Sequence, residues 1–240
     1  MNHANRTLTD ALLDPILAAD PAGPRVTFYD DSSGERVELS AITLANWAAK
    51  TANMVRDEFA IEPGARVSVL LPAHWQTAAV LLGVWWAGAE VLLTADPDAD
   101  LAMVTADRLD DVDDVAEIAV LSLDAFGRPV PDLPVGITDY ATSVRVHGDQ
   151  FIPSVAGPAL AGRSVDDLLA AAEESAARQK ISGTDRVLSS APWTTPDELV
   201  DGLLSVLAVG ASLVQVANPD AEKTERRMAS EKVTARLRRP

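Results

Sequence analysis

Two stretches of the sequence share one pattern and decide the fold: GARVSVLLP (64–72) and TDRVLSSAP (184–192). In each, an arginine opens a mostly apolar run, and a proline follows six positions later. A short apolar run that ends at a proline is typical of a strand buried on both faces of a sheet. An apolar helical stretch then leads to Gly-Ala, at 88–89 and at 210–211, and to another apolar run. The sequence therefore predicts two copies of a β-helix-β unit with parallel strands and right-handed crossovers.

This repeat predicts an α/β fold with two related subdomains and mainly parallel sheets. The interval from proline to glycine is 16 residues in the first copy and 18 in the second. General α/β patterning, without any relation between the copies, is the alternative interpretation. Proline and glycine are frequent between 125 and 162, where we expect irregular chain. We predict a first subdomain over 1–150, a second over 151–218 and a charged tail over 219–240.

Periodicity and helix-capping residues predict the elements around the repeat. Leu8, Leu12 and Ile16 have the i+4 spacing of a helix face, and Ser40 and Ser164 are typical helix N-caps. The predicted elements are a helix over 8–19, a β-hairpin with strands at 26–29 and 36–39, a helix after Ser40, a short helix over 107–114, a strand over 118–122, a helix from Ser164 to Gln179 and a helix over 220–237.

Composition and charge exclude several classes of function. The chain has 240 residues, of which 48% are hydrophobic, so it can bury a sizeable core. Its net charge of −16 disfavours binding to nucleic acid or to an anionic membrane. The absence of cysteine excludes thiol catalysis, and the three histidines lie too far apart for a metal motif. The N-terminus is polar, and the most apolar run, 78–93, is shorter than the roughly 20 residues of a membrane span, so we expect a cytoplasmic protein.

The C-terminal segment differs in charge from the rest of the chain. Residues 219–240 contain seven basic and four acidic side chains, whereas the whole chain is strongly acidic. These charges can simply be solvated surface. Alternatively, the segment is an arm that docks on the acidic remainder of this chain or on a partner.

Several motifs together resemble one enzyme family. They are VELS (37–40), PGARVSVLLP (63–72), GVWWAGA (83–89) and the later segment 186–217. In this combination the chain resembles the N-terminal region of adenylate-forming enzymes, which include acyl- and aryl-CoA ligases, luciferases and peptide-synthetase adenylation domains. The resemblance covers residues 25–95 and 184–217, and it extends to a group of short uncharacterised relatives of those enzymes. It implies two similar α/β subdomains, as the repeat does.

The chain departs from that family where the chemistry resides. The resemblance implies a phosphate loop, rich in Ser, Thr and Gly and ending in Pro-Lys-Gly, between residues 150 and 185. The glycine-rich run found there, PSVAGPALAGR (153–163), contains no threonine and no lysine. Thr195 stands where the family has a histidine. The family's nucleotide-binding motifs, metal-positioning acid, hinge and catalytic lysine would follow Pro240, so we expect no adenylation, no catalytic residue and no cofactor.

Candidate ligand-binding residues follow the two predicted strands. Ligands of open α/β sheets bind beyond the carboxyl ends of strands, and six residues come directly after such ends. They are His74, Trp75, Trp193, Thr194, Thr195 and Asp197. The alternative for the threonines is a helix cap, because Pro196 is suited to the first helical position. A lone histidine such as His74 is also common as a surface or hydrogen-bonded residue.

Three hypotheses of function remain open. The first is a non-catalytic relative of adenylate-forming enzymes that binds a protein partner or a small acyl or nucleotide-like ligand. The second is one half of a split ligase, and the third is an enzyme of unrelated chemistry on this scaffold. Trp85 and Trp86 are expected to pack between helix and sheet, although exposed tryptophans could also anchor a homodimer.

Overall fold

The computed structural model describes residues 6–153, 155 and 157–237. Within these residues, no helix combines the length and apolarity needed to cross a membrane. The α-helices of this described part are α1 Leu8–Ala19, α2 Ala41–Asp57, α3 Trp75–Trp86, α4 Tyr140–Ser143, α5 Val165–Gln179, α6 Pro196–Leu199, α7 Ser205–Ala208 and α8 Ala221–Ser230. Its strands are β1 Pro24–Asp30, β2 Glu35–Ser40, β3 Arg66–Leu70, β4 Glu90–Leu92, β5 Leu101–Thr105, β6 Ile118–Leu121, β7 Thr138–Asp139, β8 Arg186–Ser189, β9 Ser212–Ala217 and β10 Ala235–Arg236.

The chain forms two compact units, and each contains one five-stranded sheet. The first unit comprises the described parts of Met1–Asp10, Ala45–Leu71 and Ala79–Val165. The second comprises Ala11–Leu44, Pro72–Ala78 and the described part of Asp166–Pro240. An α/β fold with two mainly parallel sheets, as the repeat predicted, is therefore confirmed. The subdomain limits at 150 and 218 stay a prediction.

The sheet of the first unit is entirely parallel, with strand order β4-β3-β5-β6-β7. Its inner strands are buried on both faces, as parallel strands between helices must be. The sequence interpretation omitted β5, because its short apolar run lies within an acidic stretch. The same stretch forms a 3₁₀ helix at Ala106–Asp111, where a helix over 107–114 was expected.

The predicted repeat is present in both sheets, with the same pairing register. β3 pairs in parallel with β4 and matches Arg66 with Glu90, two residues after Gly88. β8 pairs in parallel with β9 and matches Arg186 with Ser212, two residues after Gly210. Both glycines have positive φ, 81° and 77°, the conformation that ends a helix at low cost for glycine. Each copy is thus a strand, a helix ended by glycine and a parallel strand.

A π-helical turn explains part of the difference in length between the two copies. In the second copy, α6, the π turn Val200–Leu204 and α7 follow one another directly and span 196–208, one residue more than α3. A π turn accommodates one additional residue within a helix. The loop from Pro192 to Pro196 is also one residue longer than the loop from Pro72 to Trp75. These two insertions account for the intervals of 18 and 16 residues.

The second unit's sheet has strand order β10-β8-β9-β1-β2. The predicted hairpin forms its edge, where β2 runs antiparallel to β1, and every other pairing is parallel. β1 pairs with β9 from Val26 opposite Leu213 to Asp30 opposite Ala217. This ladder joins the hairpin to the second copy of the repeat.

The C-terminal segment is part of the second unit, and its predicted helix over 220–237 is wrong beyond Ser230. α8 ends there, Lys232 has a φ of +52°, and β10 then pairs in parallel with β8. Arg227, buried to 6% exposure, pairs with Asp31 and lies 4.2 Å from the Tyr29 ring centroid. The segment thus packs on its own chain through buried contacts rather than through exposed charges alone.

Glu231 is the centre of the ion-pair network between α8 and the sheet. Its side chain is 8% exposed and accepts hydrogen bonds from Tyr29 at 2.5 Å, from Arg36 at 2.9 Å and from Arg186. Burial raises the pKa of Glu231, but the hydrogen bonds from Tyr29, Arg186 and Arg36 outweigh burial and lower the pKa to about 2. The ionised carboxylate therefore stabilises the folded state.

We predict that Glu231→Gln lowers the free energy of unfolding by about 3 kcal/mol, because it removes the buried negative charge that pairs with Arg36 and Arg186 and leaves them with the more exposed Glu38. Urea denaturation at neutral pH measures this change. The control is Glu173→Gln on the exposed face of α5, for which we expect less than about 0.5 kcal/mol. Equal stability of the two variants would contradict the role assigned to the network.

The same network makes stability depend on pH with a defined sign. The folded pKa of Glu231 lies below its ordinary value of 4.5, so its contribution is present above that pH and is lost as the pH falls toward 2. We predict that the unsubstituted protein loses more stability between pH 5 and pH 3 than Glu231→Gln does. Urea denaturation of both proteins at pH 7, 5 and 3 measures the difference, and parallel pH curves would contradict it.

Candidate functional site

The carboxyl ends of the parallel strands in the second unit converge on one face of its sheet. Phe28 of β1 and Ser189 of β8 are both register partners of Gln215 in β9, so the three side chains point to the same face. Glu35 of β2 pairs with Asp30, two residues after Phe28, and belongs to that face as well. This is the edge of an open α/β sheet where ligands bind.

His74 lies against this face and is oriented by two neighbours. Its ring is buried, and its centroid is 4.2 Å from that of Phe28 in an edge-on arrangement. Nδ1 accepts a hydrogen bond from the Gln76 amide at 3.1 Å, which assigns the proton of the neutral ring to Nε2. Nε2 faces Glu35 Oε1 at 3.5 Å, which is too long for a good hydrogen bond. The pair is therefore a close polar contact between two buried atoms rather than a well-formed hydrogen bond.

Gln215 is the polar residue of an otherwise apolar strand core, and it is 2% exposed. Its Nε2 donates to the Ala191 carbonyl at 3.0 Å, which holds the loop after β8 against the sheet. Within the described chain, Oε1 of Gln215, Nε2 of His74 and Oε1 of Glu35 are buried without a hydrogen-bond partner. We name Glu35, His74 and Gln215 the strand-end cluster.

Trp193 lies in the loop after β8, and its side chain packs against the π turn of the helix that follows. The side chain is 1% exposed, and its Nε1 has no hydrogen-bond partner among the residues described. A Cβ atom built on Gly202 would lie only 2.8 Å from that nitrogen. The indole thus packs where the glycine of the π turn leaves room. π turns are frequent at functional sites, which makes this loop part of the candidate site.

The two threonines after Trp193 serve the helix that begins at Pro196. Thr195 and Glu198 form a capping box, in which each side chain bonds the other's backbone amide. Thr194 donates to the same carboxylate at 2.6 Å, and this bond is the main reason that the pKa of Glu198 is lowered. Asp197 is exposed in the first helical turn. These three residues have the geometry of a helix cap, and a role for them in ligand binding stays a prediction.

The structure brings only part of the predicted set together. His74 and Trp75 are adjacent and buried, with ring centroids 5.6 Å apart. The sequence interpretation missed Glu35 and Gln215. The available signal for Gln215 was a single amide side chain within the apolar run Leu213–Val216. Glu35 had no such signal, because an exposed hairpin residue has the same pattern.

The strand-end cluster contains three buried polar atoms without a hydrogen-bond partner among the described residues. It offers one donor, His74 Nε2, and two acceptors, Glu35 Oε1 and Gln215 Oε1, and buried polar atoms of this kind require a partner, either ligand or water. A carboxylate in the cluster disfavours a phosphate there. Among the described residues, no group of three or more Asp, Glu or His side chains is placed to hold a metal ion.

In the first unit, the segment 157–163 occupies the place where the resemblance implies a phosphate loop. The amide of Ala159 donates to Arg163, that of Ala161 to Val91 and that of Arg163 to Leu160. The Gly162 amide donates to the Glu90 carboxylate. Four backbone donors are thus engaged within the protein, and an acidic side chain lies on the segment.

Both a curated protein and solved structures are similar to this chain. A "TIGR03089 family protein" of Mycobacterium tuberculosis is 62% identical over 236 residues, covering 95% of this chain and 97% of the relative. No family model matches the chain.

Solved structures are similar in fold. An acyl-CoA synthetase of Brucella canis has a TM-score of 0.81 at 18% identity, over 97% of this chain and 47% of that one. The anthranilate CoA ligase AuaEII has a TM-score of 0.75 at 14% identity, over 96% and 49%. The chain therefore has the fold of about half of an acyl-CoA synthetase, as the sequence motifs predicted.

We predict that Gly202→Ala destabilises the protein by about 1–3 kcal/mol, because the added methyl group would overlap the buried Trp193 indole. Thermal and urea denaturation measure the change. Gly148→Ala is the matched control, since its nearest atom, Asn53 Nδ2, would be 3.7 Å away. If the two variants were equally stable, the indole would not be held in the position described.

Proposed function

Because the chain belongs to the TIGR03089 family and has the fold of half an acyl-CoA synthetase, we propose that it is a non-catalytic relative of adenylate-forming ligases. It binds a small, neutral polar ligand at the strand-end cluster. The proposal has two parts, the loss of adenylation and the retention of binding, and different observations support them.

The state of segment 157–163 is the observation that carries the first part. A phosphate loop needs free backbone N–H groups and a cation to hold ATP. Here the amides of residues 159, 161 and 163 bond backbone carbonyls, and that of Gly162 bonds the Glu90 carboxylate. Binding a triphosphate would require breaking these bonds and placing anionic oxygens beside an anion.

The missing backbone donors have a large energetic consequence for adenylation. Adenylation concentrates negative charge on phosphorus, and losing a single stabilising donor typically costs about 10²–10³ in rate. The segment that the family uses to supply such donors contains neither lysine nor threonine in this chain. The loss of several donors together supports a protein that binds rather than activates its ligand.

The orphaned atoms of the strand-end cluster support the second part. Leaving a buried polar group unsatisfied costs about 1–3 kcal/mol, so three of them favour occupation by a polar molecule. The set combines one donor, His74 Nε2, with two acceptors, Oε1 of Glu35 and Oε1 of Gln215. An amide or a nitrogen heterocycle, which presents both a donor and an acceptor, matches this set.

A split ligase is the second candidate, favoured by a specific observation. The chain spans 47% and 49% of the two solved structures it resembles. A second polypeptide would then supply the missing nucleotide-binding and catalytic groups. An unrelated enzyme that uses the buried His74–Glu35 pair as acid and base is a further alternative.

We predict that the purified chain gives no ATP–pyrophosphate exchange above the protein-free rate with fatty, aromatic or amino acids, because its phosphate-loop segment is engaged internally. An active acyl-CoA synthetase in the same assay is the positive control. Exchange that is abolished by one substitution in this chain would overturn the proposal. Exchange that arises only with a second, copurifying polypeptide would favour the split ligase.

We predict that a thermal-shift screen of small amides and nitrogen heterocycles yields ligands that stabilise this protein, by about 2.7 kcal/mol at 100 times their Kd. Gln215→Leu should remove the shift by removing a buried acceptor. Gln150→Leu, at an exposed position of the first unit, is the matched control and should retain it. Ligands that shift both variants equally would bind elsewhere and would contradict a site at the strand-end cluster.

A further inference from the structure

A cavity of about 740 Å³ opens at the opposite edge of the same sheet, where the strands of the second unit begin. Its floor includes Arg25 of β1, Arg186 of β8 and Ser212 of β9, and the ends of helices α1 and α7 form its walls. The volume lies within the range of about 300–1,000 Å³ that small-molecule sites occupy. This cavity is distinct from the strand-end cluster, which lies at the carboxyl ends.

Arg25 is a buried charge in this cavity without an anionic partner. The residue is 6% exposed, and no ion pair of the described chain includes it. Burial lowers the pKa of its guanidinium, an effect that the charge of Asp20 partly opposes. Buried charges in proteins are normally paired, so an anion beside the Arg25 guanidinium would lower the cost of burying its charge.

One edge of the guanidinium is engaged, whereas the other has no hydrogen-bond partner among the described residues. Nη1 donates to the carbonyls of Gly210 and, at 2.9 Å, Ala211, and so fixes the side chain on the end of the second repeat. Nε is buried without a hydrogen-bond partner among the described residues, and no bond to them is made by Nη2. The chain itself shows what this edge can bind: Nε and Nη2 of Arg56 donate to the two carboxylate oxygens of Asp57, at 2.7 and 3.2 Å.

Lys232 is a second cation at this cavity, exposed and in no ion pair of the described chain, whereas the other charged groups have partners within the protein. Arg186 and Glu231 are paired with each other, and Asp185 accepts hydrogen bonds from Ser182 and Thr234. Asp20 is exposed and accepts a bond from the Gly23 amide. The walls contributed by α1 and α7 are apolar, with Ile16 and Leu207 among their residues.

We propose that this cavity binds an amphipathic organic anion, a carboxylate or sulfonate, two of whose head-group oxygens accept hydrogen bonds from Nε and Nη2 of Arg25. Its apolar body lies along Ile16 and Leu207. The head group neutralises the buried guanidinium, and the apolar walls exclude water from the pair, which strengthens it. This site does not depend on the ligand proposed for the strand-end cluster.

The test is calorimetric titration at low ionic strength with hexanoate, hexane-1-sulfonate and hexan-1-ol. We expect both anions to bind and the alcohol not to bind. Arg25→Met should weaken binding at least about tenfold, because it removes both donors and the charge. Arg25→Lys, which keeps the charge but not the fork, should lie between them.

Asp20→Asn should change the affinity for the anions in the opposite direction. It removes the nearby negative charge but keeps an acceptor for Gly23, so the anions should bind about threefold more tightly, as expected for one exposed charge. Circular dichroism and the melting temperature without ligand check that each variant folds. If Arg25→Met does not fold, Arg25→Lys and Asp20→Asn still decide the question. Absence of anion binding to the unsubstituted protein, or binding unchanged by these variants, would overturn the proposal.

Discussion

The parallel pairing of β1 with β9 is the constraint on which both sites of the second unit depend. This ladder joins a hairpin near the start of the chain to the last strand of the repeat. Toward the carboxyl ends it sets Phe28 beside Gln215, so that His74, packed on Phe28, faces the same side of the sheet. Where the strands begin, Arg25 reaches the carbonyls of Gly210 and Ala211. Backbone hydrogen bonds between distant residues thus position the strand-end cluster and Arg25 at opposite edges of one sheet.

The second unit treats its buried charges in two different ways. Glu231 is surrounded by donors from Tyr29, Arg36 and Arg186, so the cost of burying its charge is repaid within the chain. Arg25 is buried to a similar extent, but its partners are two neutral carbonyls. Structural charges are normally satisfied within the protein, whereas a site for a charged ligand leaves one side of the balance open. Within one sheet, Glu231 therefore fixes the C-terminal segment, whereas Arg25 is the charge that we propose binds a ligand.

The same fold can host different chemistry when the groups at its loops change. The chain keeps the strand-helix-strand repeats that shape half of an acyl-CoA synthetase. In segment 157–163, however, backbone amides close on neighbouring carbonyls and on Glu90. An amide engaged in this way is a structural element of the first unit and is not available to a phosphate. The fold is thus that of half an acyl-CoA synthetase, and segment 157–163 is packed against its own unit.

Features set by neighbouring residues were determined by the sequence alone. The strands at 64–72 and 184–192, the glycine-terminated helices after them and the cap at Thr195 depend on apolar periodicity, on backbone conformation and on side chains a few positions apart. Leu101–Thr105 became a central strand only because β3 and β6 pair with it on both sides. The burial of Gln215 likewise depends on strands and loops far away in the chain. Tertiary structure decided these features, because pairing and burial are set by residues that sequence order does not bring together.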